Sequence, residues 1–450
     1  MKKMIVVLLA LLMITAALTA CGGTKEETST PNDASVDTSV KTTASSSAAE
    51  TTAVSATQTA ASNTGTKLAQ PDEVTTTANV TSNGAIDATN IFSDRDLRQT
   101  ADLSDAVYYD LSDNNNITIT KEGVYVISGS ATNATVIVEA GDNDKVQLVL
   151  NGATISNSSA PAVYVKNADK VFVTTVEGTT TELTVSGAFT ADGETNTDAV
   201  IFSKDDLVLN GLGTLTVNSS DNGVSGKDDV KITGGTINIT STSDAIEANE
   251  SIAVADGNLT IKSSKDALHA ENDEDNTTGY VYICGGTFNL TATSDGIRAT
   301  TIAQIDGGNI TASAAEAIES TYVQINNGTI NITATDDGIN ATSKSTAQSV
   351  KIEINGGDIT VNMGQGDTDG IDSNGDLYIN GGTVNVNANS PFDYDGQGQL
   401  NGGSVYVNGS QVTELTNQQM GGGMGGGRGG MGGDPNMNGN GGPMGGGFGR

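Results

Sequence analysis

Between about residue 91 and residue 417 the apolar residues fall into short runs that alternate with polar ones, and the runs recur at a fixed interval. Taking the second glycine of each Gly-Gly-type turn as an anchor gives Gly213, Gly235, Gly257, Gly286, Gly308, Gly328, Gly357, Gly382 and Gly403. The steps between them are 22, 22, 29, 22, 20, 29, 25 and 21 residues. Each interval carries three patterns. A pair of alternating apolar positions follows the glycine (Ile237/Ile239, Leu259/Ile261, Phe288/Leu290, Ile330/Ile332). A single apolar position stands in the middle (Val224, Ile246, Leu268, Ile297, Ile318, Ile339, Ile371). A second alternating pair precedes the next glycine (Val230/Ile232, Ile252/Val254, Val281/Ile283, Ile352/Ile354). Period-2 alternation buries one face of a strand. A repeat of 20 to 30 residues that cannot bury its own apolar face is one turn of a stacked solenoid.

These patterns predict an all-β fold: a right-handed parallel β-helix with three strands per turn and about 21–22 residues per turn. Equivalent residues stack about 4.8 Å apart, around an aliphatic core. Glycine at the corners supplies the positive φ of a tight bend. Insertions at 271–278, 343–348 and 364–368 are expected to project as loops. Residues 91–211, which repeat less cleanly, are expected to form the first rungs and cap.

The ends of the chain read differently. Met1-Lys2-Lys3 is basic, the stretch from Ile5 to Leu18 is almost wholly apolar, and Leu18-Thr19-Ala20-Cys21 follows. The apolar run is short for a membrane span and suits a signal peptide. Small residues before the cysteine resemble a bacterial lipobox, which implies cleavage after residue 20 and lipidation of Cys21. A plain signal peptide with an incidental cysteine is the alternative. Residues 21–90 are Thr, Ser and Ala without apolar period and are expected to form a disordered tether. Residues 418–450, rich in Gly and Met, are expected to form a flexible tail, although soft thioethers also suit Cu(I).

Composition narrows the function. There are 54 acidic and 21 basic side chains, for a net charge of −33. Nucleic acid is therefore an unsuitable partner, since phosphate binding requires clustered Lys and Arg. Cations suit this surface better. The single histidine, His269, limits zinc sites and triads, and the one cysteine beyond the export segment, Cys284, permits no disulfide within the mature chain.

Aligned on the repeat, one corner position reads Asn222, Asp244, Asp266, Asp295, Glu316, Asp337 and Asp369. Three residues on come Ser225, Glu247, His269, Arg298, Glu319, Asn340 and Asp372, all expected to face solvent. Carboxylates stacked at rung spacing repel by roughly 3.5 kcal/mol per pair at an effective dielectric of 20. Accepting backbone N–H bonds, protonation, or a hard cation would relieve them, and Ca²⁺ takes six to eight oxygen ligands. Two readings stay open, turn-capping alone and calcium. The calcium candidates are Asp244, Asp266, Asp295, Glu316, Asp336, Asp337, Asp367, Asp369 and Asp372. The ligand-binding candidates are Glu247, His269, Arg298, Glu319 and Asn340.

The run Lys121-Glu122-Gly123-Val124-Tyr125-Val126-Ile127-Ser128-Gly129, then Val149-Leu150-Asn151-Gly152-Ala153-Thr154-Ile155, and the later Gly-Gly and Ser-Asp-Ala/Gly-Ile repeats resemble a clostridial carbohydrate-binding β-helix family. The resemblance covers about residues 90 to 415. It implies export, a polysaccharide-lyase-like fold, calcium as cofactor, binding of cellulose and acidic pectin-type polymers, and no catalysis. The expected protein is thus a monomeric cell-surface lipoprotein, held to the membrane by its lipid, with polysaccharide as partner. Two alternatives remain: a calcium-dependent lyase with Lys265, His269 or Arg298 as base, or a hydrolase using carboxylate pairs of the column; and a structural or adhesive solenoid. Exposed aromatic platforms are few, with Tyr280, Tyr282 and Tyr322 the candidates.

Overall fold

A computed structural model of the chain describes residues 67–79, 84–364 and 368–417. The export segment, Cys21, most of the expected tether, Asp367 and the Gly/Met tail lie outside the described residues. What is described is all-β, apart from a single 3₁₀ turn at Ala88–Asn90. No helix among the described residues is long and apolar enough to cross a membrane.

From residue 180 to residue 387 each strand pairs in parallel with the strand three elements further along the chain, and the last described strand, Ser410–Val412, folds back antiparallel on Ser404–Val407. Asn258–Lys262 pairs with Thr287–Thr291, which pairs with Asn309–Ala314, without register shift. Three ladders result, one for each sequence pattern. The turn ladder follows the glycines, from Thr180–Val185 to Ser404–Val407. The corner ladder carries the single apolar positions and has twelve strands, from Ile117–Ile119 to Ser390–Tyr394. The flank ladder precedes the glycines, running for example through Ser251–Val254, Tyr280–Ile283 and Ile302–Ile305. This is a β-helix-like coil.

The alternation fixes which side chains fill it. Leu215, Ile237, Leu259, Phe288, Ile310, Ile330, Ile359, Val384 and Val405 form one continuous inward stack, none more than 2% exposed. Burying each such side chain contributes about 1.5–3 kcal/mol. Eight of the nine anchor glycines have positive φ, and at the first the left-handed residue is Gly211 instead of Gly213. Gly382 shows the requirement: its φ is 81°, and a Cβ there would lie 2.6 Å from the carbonyl oxygen of Gly357 on the rung below.

Two expectations need correction. The first rungs do not have three separate strands. Gly123–Thr132 and Lys145–Asn157 each run unbroken through the turn and flank ladders, joining them into one 24-stranded sheet. A register shift between Ser128 and Ser130 bends the chain without ending the pairing.

Nor does the folded part begin at residue 91. Residues 67–79 and 84–106 lie along the outer face of the flank ladder as a doubled strap. Thr76 N donates to Leu97 O (2.8 Å) and Gln99 N to Val74 O (2.7 Å). Gln99 Nε2 donates to Thr233 O (2.9 Å), while its Oε1 accepts from Gly211 N (3.0 Å). Gln324 and Gln304 accept the N–H groups of Ala85 and Ile86 at 2.8 and 2.7 Å. Ile86, Phe92 and Leu97 cover Ala253, Tyr282 and Cys284. Side-chain amides and a few apolar contacts hold this strap, so it leaves no periodic signature. It also buries Tyr282 completely, and Tyr322 is only 5% exposed, so neither is a free stacking platform.

Candidate functional site

The corner ladder places the predicted acidic column in register. Asp295 pairs with Glu316, and Asp337 with Asp369. One position of the next column runs Ser225, Glu247, His269, Arg298, Glu319, Asn340, Asp372 and Asp393 across successive strands. The corner side chains cap and face outward at once. Asn222 Oδ1 accepts from Asp244 N, Asp244 Oδ1 from Asp266 N, and Asp266 Oδ1 from Asp295 N, each at 2.9 Å. Asp337 Oδ1 does the same for Asp369 N at 3.3 Å. Each of these side chains spends one oxygen on the next rung's N–H; the second carboxylate oxygen is the one with chemistry to do.

Those second oxygens divide the column into two halves. In the first half cations take them up. Asp244 Oδ2 meets Lys265 Nζ at 3.0 Å and His269 Nδ1 at 3.3 Å. Asp266 Oδ2 lies 3.5 Å from His269 Nδ1 and 3.8 Å from Arg298 Nη1. Glu271, from the first insertion, closes the network on His269 Nε2 (2.8 Å) and Arg298 Nη2 (3.3 Å). Burial works against charge here, but the hydrogen bonds win. They hold Asp244 and Glu271 near 2 and lift His269 to about 9. Glu247 is likewise engaged, by Asn222 Nδ2 (2.7 Å) and Lys227 Nζ (3.4 Å). Asp244, Asp266 and His269 also bring one ligand atom each within 4.8 Å of one another, but the partners of the two aspartates' second oxygens are cationic side chains, so in this structure they form an ion-pair network.

The second half is short of cations. One oxygen from each of Asp295, Glu316 and Glu319 lies within 4.8 Å of the others. Burial, then the neighbouring carboxylates, push Asp295 well above the usual carboxylate range and raise Glu316 as well. Arg298 stands 3.8 Å from Asp295 and 3.9 Å from Glu319, and Lys344, from the second insertion, 2.8 Å from Glu319. Asn340 donates Nδ2 to Glu316 (3.0 Å), and its own Oδ1 is buried without a partner. Further along, burial and then neighbouring carboxylates lift two more groups to about 7: Asp337, against Asp372, and Asp372, against Asp369 and Asp393. Asp369 pairs with Asp337 across the ladder and shares a strand with Asp372, and exposed Asp336 adds charge from the side. An all-oxygen set of crowded carboxylates, with an amide oxygen left over, fits a hard divalent ion.

The outward column is less exposed than expected: His269, Glu319 and Asn340 are 9%, 6% and 8% exposed. The two insertions fold back over it. Residues Glu271 to Glu274 also wall a polar cleft of about 690 Å³, floored by Asn222, Glu247 and His269. Sequence reasoning missed Glu271 and Lys344, because insertions have no place in the repeat. It also missed a second convergence at the opposite corner, where Asp228, Asp229 and Glu250 meet. There burial and Asp206 lift Asp228. The signal for that one, acidic residues just before Leu207, Val230 and Ile252, was present in the repeat.

A family model described as carbohydrate-binding domain-containing protein matches residues 113–367 and 312–414. A carbohydrate-binding domain-containing protein of Acetivibrio thermocellus is 34% identical over 122 residues, 26% of this chain and 43% of that protein. The chain thus matches less than half the length of that relative. A solved gadolinium derivative of the polysaccharide lyase-like protein from C. thermocellum shows 28% identity and a TM-score of 0.45, over 50% of this chain and 96% of that one. Because the family match spans well over half of the 450 residues, the chain belongs to the family of carbohydrate-binding domain-containing proteins.

Proposed function

We propose that the chain is an exported lipoprotein, anchored through Cys21 at the cell surface, that binds an extended acidic polysaccharide through calcium on the corner ladder of a right-handed parallel β-helix. The observation that carries this reading is the convergence of Asp295, Glu316 and Glu319, with oxygens within 4.8 Å of one another. A cation there would offset their repulsion. Its remaining coordination positions would be open to uronate carboxylates, so that an acidic protein could hold an acidic polymer. Asp337, Asp369 and Asp372 would extend the same strip.

Binding without catalysis is favoured over elimination by the state of the candidate bases. Lys265 and Arg298 are held charged by neighbouring carboxylates, as is His269, at about 9. None is poised to accept a proton near neutral pH. The test is calorimetric titration with Ca²⁺ and then polygalacturonate, with and without EDTA. Saturable calcium uptake that enables polymer binding, with no new ultraviolet absorbance from unsaturated product, supports the reading. New absorbance moves it to a lyase, and no calcium uptake at millimolar levels overturns it.

A further inference from the structure

The outer face of the turn ladder has a different chemistry from the rest of the surface. On a chain of net charge −33, the eight strands from Thr214–Ser219 to Thr383–Asn387 present 24 outward positions at the three alternating sites of each strand. Only Lys262 and Asp358 among them are charged; every other residue is Thr, Asn or Ser. In the middle rungs all of these positions are exposed, and no described segment covers them.

The central column of this face alternates strictly. Thr216, Asn238, Thr260, Asn289, Thr311 and Asn331 are paired in that order on successive strands, and Thr360 and Asn385 continue the series. Elsewhere in the coil, asparagines on adjacent rungs bond to each other. Asn355, Asn380 and Asn401 each donate Nδ2 to the asparagine below at 2.8 Å. A column of consecutive asparagines thus satisfies itself. Placing Thr between them sets the amides roughly 9.6 Å apart, twice the rung spacing. No central-column side chain then bonds within the protein. The central column keeps its hydroxyl and amide donors and acceptors, and of the flanking outward positions Asn218, Asn362 and Asn387 spend an amide within the protein; the outward groups repeat about every 4.8 Å across the rungs and every 6.6 Å along the strands.

We propose that this Thr/Asn face is a second polysaccharide-binding surface, independent of calcium, that takes neutral hydroxyl-rich chains. Each Thr or Asn both donates and accepts, as a sugar hydroxyl does. The near absence of charge suits a neutral polymer; phosphates or uronates would find no cations to hold them, and the face has no apolar anchor of the kind that centres protein interfaces. Many weak contacts in fixed register add by avidity.

The test is depletion of the full chain from solution by insoluble cellulose, mannan or xylan in EDTA. The comparison is with a Thr260→Val/Thr311→Val/Thr360→Val variant, which keeps shape and strand propensity but removes the hydroxyls, and with an Asn238→Asp/Asn289→Asp/Asn331→Asp variant. Circular dichroism verifies the fold of each. The expected result is binding in EDTA to at least one neutral polymer, weakened about tenfold or more, some 1.4 kcal/mol, in both variants. An Asp295→Asn/Glu319→Gln variant should bind it unchanged. No binding in EDTA, or equal binding by the face variants, overturns the inference. So does sedimentation showing that the face variants lose only self-association. Calcium-dependent binding of polygalacturonate, read on the same samples, tells a failure here from a failure of the corner-ladder reading.

Discussion

His269 offers a direct measurement of how the acidic column is divided. Both its ring nitrogens face carboxylates: Nδ1 lies 3.3 Å from Asp244 and 3.5 Å from Asp266, and Nε2 lies 2.8 Å from Glu271. A neutral imidazole has only one N–H, so only the imidazolium satisfies both sides. Burial opposes the charge, yet Asp244 and Glu271 lift the group from 6.5 to about 9. That shift, at 1.36 kcal/mol per unit, corresponds to about 3 kcal/mol of stability. The folded pKa is raised, so the contribution is fully present below pH 6.5 and is lost as pH rises through 9. Being the chain's single histidine, it gives the only histidine ring signals in a nitrogen-correlated NMR titration. Those signals should titrate near 9. Denaturant midpoints should fall between pH 6.5 and 9.5 in the native chain, with little slope in a His269→Asn variant over that window. Saturating calcium should leave the titration in place. A titration near 6.5, or one that calcium shifts far downward, would refute the assignment of Asp244 and Asp266 to an ion-pair network.

Other predictions follow from the same geometry. Asp295→Asn/Glu319→Gln removes two of three converging carboxylates, so in EDTA it should raise stability by about 1–3 kcal/mol and abolish the rise in melting temperature that calcium brings to the native chain; thermal melts with and without calcium check both. Gly382→Ala forces a Cβ to within 2.6 Å of a carbonyl at positive φ and should cost about 1–3 kcal/mol by denaturant melts. The Cys284 thiol is buried and lifted to about 11, so it should resist a thiol reagent in the native chain. A Gln99→Ala variant, which loses the bonds to Thr233 and Gly211, should react faster; equal rates would mean that the strap is not held there.

The coil was legible because its signal is redundant. Leu215, Ile237, Leu259, Phe288 and Ile310 each occupy the same place in a repeat, and one shared interior explains them all. The strap was not legible, because Gln99, Gln304 and Gln324 act through one or two hydrogen bonds each to backbone groups more than 100 residues away. The merged first rungs were hidden for a related reason. Whether a corner ends a strand or merely bends it depends on register at Ser128 and Ser130, which is a property of two strands together.

The acidic column was legible as a column, yet its division was not. Asp244, Asp266 and Asp295 have the same local motif, and each has its own N–H capped by the corner side chain of the rung before. What separates them is the side chain brought against each second oxygen. For Asp244 and Asp266 it is Lys265 and the imidazolium of His269, locked from above by Glu271 of an insertion. For Asp295 it is chiefly Glu316 and Glu319, with Arg298 no nearer than 3.8 Å. In a solenoid the backbone repeats, so equivalent positions receive equivalent geometry; chemistry then differs only where the stacked neighbours or the insertions differ. The same rule explains the turn ladder, where exchanging every second asparagine for threonine changes a self-satisfied stack into a face with its hydrogen-bonding groups free for a ligand. Function in this chain is therefore written in departures from the repeat, and a search for its ligands should begin at rungs where neighbouring units differ.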